Sequence, residues 1–477
     1  MIHADFDLEI PEQLGRVHFV GIGGAGMNAI ARMMHRAGVK VSGSDRSDSS
    51  TCQALRDIGI PVEIGHEARY AEDIDTLVVT GALREDNPTY VRARERGILV
   101  LHRSQALHWL SRHDRVISVA GAHGKTTSTG MVAHGLRHGG NDVSYVNGAA
   151  IVGMGETASA GSADTFVLEA DESDKSFLLY NTAVALITNV DPEHLDFYGS
   201  RENFMQAFVD FANAATEAVV ISADDPGAKE VTEQLATDRE IITFGQSESA
   251  DVRLSDLDTS ARVSFTVTAN GESLPVQLRL FGDYNAYNAT GAIAVLLHMG
   301  YTLRQAVDAL QDFQGVTSRL QFYGRVNGVE VYDDYAHHHN EIKALLGATR
   351  TVAGSGRVIA VHRPHLYSRT QLFASEFAEI LEAGADHTVV LDLEAAREEF
   401  VPGVTGKLVT DKFVDQSKVA LIEDWDEACE YIANFSQPGD IVVTMSVGSL
   451  YRICPMILAA LEKRYGVAAE LPPGGGK

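Results

Sequence analysis

Twice this chain runs from a β-branched stretch through a glycine-rich turn into an amphipathic stretch, and no other feature restricts its fold as much. The first instance is Val17-His18-Phe19-Val20 followed by Gly21-Ile22-Gly23-Gly24-Ala25-Gly26. The second is Val116-Ile117-Ser118-Val119-Ala120 followed by Gly121-Ala122-His123-Gly124-Lys125-Thr126-Thr127. A strand that feeds a helix through a tight turn belongs to a parallel sheet with helices on its faces.

The same alternation continues from end to end. Apolar runs at 17–20, 39–42, 76–80 and 98–101 alternate with helix-like stretches at 24–37, 51–58, 87–96 and 104–110. A second series starts at 116 and a third near 324. At about 150 residues per domain, 477 residues suit three domains. The expected fold is α/β: a Rossmann-like domain over 1–112, a P-loop ATPase domain over 113–323 and a Rossmann-like domain over 324–477. Runs at 252–254, 263–267 and 276–280 alternate apolar and polar, which predicts antiparallel strands attached to the second domain.

Composition excludes several function classes. The chain has 39 basic and 65 acidic residues, a formal charge of −26. That disfavours nucleic-acid partners and anionic lipid surfaces, which both need a basic face. No stretch approaches the ~18 apolar residues of a membrane span, and the acidic start does not read as a signal peptide. Cys52, Cys429 and Cys454 form no CxxC pair, so a reduced, cytoplasmic setting is expected.

Five motifs carry chemistry. In the first turn, Gly21, Gly23, Gly24 and Gly26 let backbone amides approach a pyrophosphate, and Asp45, 19 residues past Gly26, accepts a ribose hydroxyl. NAD, FAD and a nucleotide sugar satisfy that arrangement equally. In the second turn, Gly121, Gly124 and the helix-start amides would cradle phosphate, Lys125 would neutralise it and Thr126 could ligate Mg2+. Val119 stands where the usual P-loop has its first glycine. Third, Glu169-Ala170-Asp171-Glu172-Ser173-Asp174 follows the apolar run 165–168, with Glu169 the best-placed metal ligand. Fourth, His194 lies between acids in 188–196, where it could reach a second ion near a γ-phosphate. Fifth is Asp333-Asp334-Tyr335-Ala336-His337-His338-His339-Asn340. Consecutive side chains diverge, so one ion cannot easily use all three histidines. A substrate loop is preferred, with Asp334 on a ribose and a histidine at an amino acid.

With these motifs together, the chain resembles the Mur ligases, ATP-dependent amino-acid ligases of peptidoglycan synthesis, over nearly its whole length. The family's GxGGxGM turn matches 21–27. Its GTHGKTT loop matches 121–127, with Ala122 for Thr, and its EADESD run is intact at 169–174. Its metal-binding His matches His194. Its adenine-contacting HNxxN matches Asn285 and Asn288, with Tyr284 for His. Its γ-phosphate arginine matches Arg319, its ribose-binding run matches 333–338 and its QPHxYxRT matches 363–370.

The resemblance implies the site residues as follows. UDP-N-acetylmuramate would meet Gly21, Gly23, Gly24, Gly26 and Asp45, with Tyr335, His337, His338 and Arg369 on the substrate side. ATP would meet Gly121, His123, Gly124, Lys125, Thr126, Thr127, Asn285, Asn288, Arg319 and Asp334. Mg2+ would fall to Thr126, Glu169 and His194, and the catalytic set is Lys125, Glu169, His194 and Arg319. A cytoplasmic monomer or homodimer is implied, with domain closure during the cycle. Many relatives carry a lysine that matches Phe208 here. The alanine-adding branch lacks it, which favours L-alanine as the amino acid. Three departures bear on the amino-acid pocket: His339-Asn340 for Pro-Thr, Arg363 for Gln, and Met445-Ser446-Val447-Gly448 for MGAG. Two alternatives stay open: a recycling ligase that joins a tripeptide to the same sugar, and an NAD-dependent dehydrogenase.

Overall fold

Runs that are apolar at every position become central strands, because helices cover both of their faces. Thr76–Val79, Thr182–Ile187 and Ala218–Ser222 are buried throughout. The computed structural model describes residues 2–236, 238–395 and 398–472, except for the Asp196 side chain.

Three sheets result. The first has the order Val62–Ile64, Lys40–Asp45, Arg16–Val20, Thr76–Val79, Leu99–His102, with every pair parallel. The second has ten strands: Glu272–Gln277, Ser264–Ala269, Val252–Asp258, Glu240–Gly245, Ala218–Ser222, Thr182–Ile187, Arg115–Ala120, Thr165–Glu169, Ser144–Val146 and Ala158–Ser159. The third has the order Gln321–Val326, Val329–Asp334, Ile441–Met445, Val358–His362, His387–Val390, Val419–Leu421, with only its first pair antiparallel.

The chain forms two compact units. One holds Met1–Asp256, Phe265–Val276 and Tyr284–Phe313; the other holds Leu257–Ser264, Gln277–Asp283 and Gln314–Lys477. In the first unit, one apolar cluster draws residues from both sheets, including Phe19, Ile30, Trp109, Phe166 and Phe208. In the second, separate clusters centred on Val442 and Phe377 surround the six-stranded sheet.

Two local expectations change. The strand expected at 276–280 is Glu272–Gln277. Asn270 and Gly271 both take positive φ (52° and 79°), which makes a two-residue reversal directly after Ser264–Ala269. Val252–Asp258 was expected to be antiparallel, yet it joins Glu240–Gly245 in parallel at Phe244↔Val252. Among the described residues no helix is long and apolar enough to cross a membrane. All three cysteines are buried and free.

Candidate active site

The first glycine turn leaves the carboxyl end of Arg16–Val20 and opens the helix Ala25–Arg36. Gly23 N donates to Asp45 Oδ2 at 2.8 Å, and a Cβ on Gly23 would lie 2.9 Å from that oxygen. Ser47 N donates to the other oxygen at 3.3 Å. Asp45 therefore braces the turn from the neighbouring strand. Gly24 caps the helix with no side-chain hydrogen bond, so the first amides stay available to an anion.

The second turn joins Arg115–Ala120 to the helix Lys125–His138. Both glycines are required. Gly121 has φ 136° and a Cβ there would lie 2.1 Å from Thr188 Oγ1; Gly124 has φ 84° and a Cβ would lie 2.3 Å from Asn288 Oδ1. His123 N donates to Asn189 Oδ1 at 2.9 Å, and the Asn189 amide donates back to His123 O at 2.8 Å. Lys125 Nζ folds over the loop and donates to Gly121 O (2.6 Å), Ala122 O (3.1 Å) and Glu172 Oε1 (2.8 Å). Thr126 Oγ1 and Gly148 N donate to the two oxygens of Glu169, at 3.0 and 2.6 Å.

The acid run 169–174 supplies the charges around this lysine. Burial opposes charge on Lys125, but Glu172, Glu169 and Asp171 outweigh it and its pKa is raised. Burial lifts Glu172 to about 7, against the pull of Lys125. Burial also opposes the charge on Asp171, yet Arg103 and Ser173 hold it below the usual carboxylate range.

His194 begins the short helix Leu195–Tyr198 with a left-handed φ of 54°. Glu172, Glu193 and His194 offer ligand atoms that all lie within 4.8 Å of one another. Glu172 Oε2 is buried without a hydrogen-bond partner, as an acid waiting for a cation would be. The donor set, two carboxylates and one imidazole, fits a hard divalent ion. Asp225 holds the loop: its Oδ1 accepts from Val190 N at 2.9 Å and from Ala228 N at 2.8 Å. Phe208, on Arg201–Ala214, packs in an aromatic core with Phe177 and Phe204, at ring centroid distances of 5.2 and 5.1 Å.

Beside the loop lies a cavity of about 360 Å³, bordered by His123, Gly124, Asn189, Tyr284, Tyr287 and Asn288 among others. Asn288 Nδ2 donates to Asn285 Oδ1 at 3.2 Å. An aromatic and amide-lined cleft next to a phosphate-type turn has the shape of a nucleotide site.

The second unit gathers the remaining predicted residues at the carboxyl ends of its strands. Asp334 is buried, and both of its oxygens take backbone amides: Leu320 N at 2.6 Å and Ala336 N at 2.8 Å. Burial raises its pKa to about 6, partly opposed by Arg319. Asp333 accepts from Ser318 Oγ (2.7 Å) and Thr444 Oγ1 (2.6 Å). Arg319 is presented between two left-handed residues, Ser318 (φ 53°) and Leu320 (φ 44°), and its guanidinium lies 5.0 Å from the Tyr335 ring. Glu341 Oε2 takes the His337 and His338 amides, each at 3.0 Å, and lies 3.2 Å from His337 Nδ1. Arg369 is close enough to lower the pKa of both histidines, after burial.

The structure thus groups Lys125, Thr126, Glu169, His194, Asn285 and Asn288 in one unit. Arg319, Asp334, Tyr335, His337, His338 and Arg369 lie in the other. Two residues escaped the sequence reading. Glu172 was legible only as one of four acids, and its burial singles it out. Arg103 follows the last strand of the first sheet. Its Nη2 donates to Asp171 at 2.9 Å, and its Nη1 lies 3.4 Å from where a Gly26 Cβ would be. A cation beside the first glycine turn was the missing signal.

A glycine turn that opens a helix, a lysine at that helix start and an acid-and-histidine cluster beside it define a nucleotide-dependent phosphoryl-transfer protein. Family models match three successive segments: "Mur ligase family, catalytic domain" over 16–115, "Mur ligase middle domain" over 119–296 and "Mur ligase, glutamate ligase domain" over 318–448. The chain belongs to the Mur ligase family, and it is an ATP-dependent ligase. It is 53% identical to a UDP-N-acetylmuramate–L-alanine ligase of Clavibacter sepedonicus, covering 98% of each chain. It is 43% identical to the protein of that name in Thermobifida fusca, covering 94% of this chain and 97% of the other. The crystal structure of UDP-N-acetylmuramate-alanine ligase from Thermotoga maritima aligns with a TM-score of 0.81 at 28% identity, covering 94% of this chain and 99% of that one.

Proposed function

We propose that this protein joins L-alanine to the carboxylate of UDP-N-acetylmuramate at the expense of ATP. The observation that carries this reading is 53% identity, across 98% of the chain, to a ligase of that name. The loop around Lys125, which keeps the family's pattern except at Ala122, supports it. We further propose the division of labour expected above: the sugar nucleotide on the first sheet, ATP on the second and the amino acid on the third.

The chemistry starts from a carboxylate, whose own leaving group would be oxide. A muramyl carboxylate oxygen attacks the γ-phosphorus of ATP, ADP departs and an acyl phosphate forms. The L-alanine amine then adds to the acyl carbon, phosphate leaves and the nitrogen gives up a proton. In this chain, Lys125 and the first amides of Lys125–His138 bind the phosphate oxygens. Lys125 Nζ exchanges Gly121 O, Ala122 O and Glu172 for those oxygens. Asn285 and Asn288 border the base, Arg103 and Asp45 hold the sugar nucleotide, and Arg319 is the second cation for the γ-phosphoryl group. Thr126, Glu169, Glu172, Glu193 and His194 are the residues that would hold Mg2+, which supplies charge neutralisation to phosphoryl transfer when bound. The reading includes a cytoplasmic location, where ATP is supplied, and a monomer or homodimer.

The test is phosphate release with ATP and UDP-N-acetylmuramate plus either L-alanine or the tripeptide L-alanyl-γ-D-glutamyl-diaminopimelate. Release with L-alanine alone is expected. Release only with the tripeptide would move the protein to the recycling reaction. NAD binding without any phosphate release would move it out of ligation.

A further inference from the structure

In the second unit three parallel strands end side by side: Ile441–Met445, Val358–His362 and His387–Val390. Arg363 is the first residue past the middle one. Its carbonyl accepts from Ser446 Oγ, past one neighbouring strand, at 2.9 Å, and its side chain reaches over the other. Nη2 donates to Asp392 Oδ2 at 3.1 Å and Nη1 to Glu394 Oε2 at 2.7 Å. Asp392 and Glu394 are two residues apart, the spacing at which extended chain turns side chains the same way, so one planar guanidinium meets both. The guanidinium carbon lies 5.4 Å from the Trp425 ring centre, and Trp425 Nε1 donates to Asp392 Oδ1 at 3.4 Å. Only 12% of the Arg363 side chain is exposed. With both terminal nitrogens engaged, this arginine holds protein groups rather than a ligand.

What it holds is the turn 363–366. Glu394 N donates to Pro364 O at 2.9 Å, and Leu366 N donates to Glu394 O at 3.0 Å. Leu366 has φ 71°, a left-handed conformation that a branched side chain keeps only where its neighbours impose it. Its carbonyl accepts from Thr370 N at 3.1 Å and Thr370 Oγ1 at 2.8 Å, which sets the start of the helix Tyr367–Gly384. Glu398 takes Ser368 N in the first turn of that helix at 3.0 Å. From the third strand's side, Gly448 lies so close that a Cβ on it would be 2.8 Å from Glu394 Oε2. Arg369 stands in the same first turn. Burial lowers the pKa of His337 and His338, and Arg369 lowers both further, so its charge lies beside the substrate loop. A glutamine at 363, as in the family's pattern, would bring no charge, and the two carboxylates would face each other with no cation between them. Arg363 and its two acids therefore work as one unit.

The geometry points to Arg363 as a positioning residue for the amino-acid substrate, given that the third sheet takes the amino acid as proposed above. Its fork on Asp392 and Glu394 fixes the turn 363–366, and the turn places Arg369 to receive the amino acid's α-carboxylate. That carboxylate does not react. Loss of the brace therefore weakens L-alanine more than it slows the saturated enzyme.

Steady-state kinetics of the full-length enzyme provide the test. Arg363→Gln should raise KM for L-alanine at least about tenfold, with kcat and KM for ATP within about threefold of the unaltered enzyme. Arg369→Ala should raise the same KM, and adding Arg363→Gln to it should change KM by less than about twofold, because the brace then has nothing left to place. A general loss of packing would instead add to the Arg369→Ala effect and lower kcat. Should Arg363→Gln fail to fold, Glu394→Gln carries the test: it leaves Arg363 on Asp392 and should raise KM for L-alanine about threefold or more. An unchanged L-alanine KM in the folded variants, equal rises in KM for L-alanine and ATP, or additive effects of the Arg363 and Arg369 substitutions each overturn the assignment. Absence of L-alanine turnover in the unaltered enzyme would instead remove L-alanine as the substrate, and this role of Arg363 with it.

Discussion

Gly124 has φ 84°, and a methyl group on it would stand 2.3 Å from the Asn288 amide oxygen. Backbone strain and a side-chain clash therefore coincide at one atom. Gly124→Ala is expected to lower unfolding free energy by about 2–4 kcal/mol and to abolish binding of a fluorescent ATP analogue. Urea titration and fluorescence check the two effects separately. Lys125 has the opposite signature, a side chain whose loss leaves the backbone intact. Lys125→Ala should reduce kcat by about a thousandfold with UDP-N-acetylmuramate affinity within about twofold, because the sugar nucleotide meets the other glycine turn; calorimetry and steady-state kinetics separate the two. At this scale, residues in a contiguous motif were legible: Lys125, Thr126 and His194 each stand where the loop places them. Glu172 and Arg103 were not. What distinguishes Glu172 from Asp171 and Glu169 is an oxygen sealed from solvent, and what marks Arg103 is a partner just past a strand of another sheet. Neither is a property of neighbouring letters.

Elements position the site through close backbone approach. The helix Pro226–Glu233 begins against the loop that carries His194: Asp225 caps it while holding Val190 N, and a Cβ on Gly227 would lie 1.9 Å from the Val190 carbonyl oxygen. Gly227→Ala must push that loop away. Calorimetric titration of Mn2+ into the variant should show affinity at least about tenfold weaker, with stability lower by about 2–4 kcal/mol. Unchanged Mn2+ affinity would detach this helix from the metal candidate. The strand–turn–helix order was readable from hydrophobic period and glycine position, since a parallel sheet leaves uninterrupted apolar runs. The edges of the second sheet were not. Ser144–Val146 and Ala158–Ser159 are too short to show a period, and the strand at 272–277 starts before the alternating run at 276–280 because Asn270-Gly271 reverses the chain directly after Ala269.

At the scale of the whole molecule, protons and salt report on both units. His18 in one and His362 in the other are buried, and burial lowers each to about 4. The unfolded chain takes up these protons below about 6.5, while the folded chain does so only near 4. Each unit therefore loses stability as pH falls from 6.5 towards 4, by up to about 3 kcal/mol per histidine, and gains nothing from these groups above 6.5. Scanning calorimetry across that range should show the loss. His362→Met should flatten it for the second unit only, and an unaltered acid profile in that variant would disprove the assignment. The formal charge of −26 acts over a longer range. Added salt should speed ATP capture in stopped-flow, the reverse of electrostatic steering, because screening weakens repulsion between like charges. The fold of Lys125 onto Glu172 gives that repulsion a use. Before any nucleotide arrives, the lysine of the loop already has Glu172 as a partner. A lone inorganic phosphate has to displace that partner with two charges and no purine, whereas ATP brings a longer chain of charge and a base for the adjoining cleft. The resting site should therefore respond weakly to the free phosphate that its own reaction releases, and accumulated phosphate, unlike accumulated ADP, should leave the loop open to the next ATP.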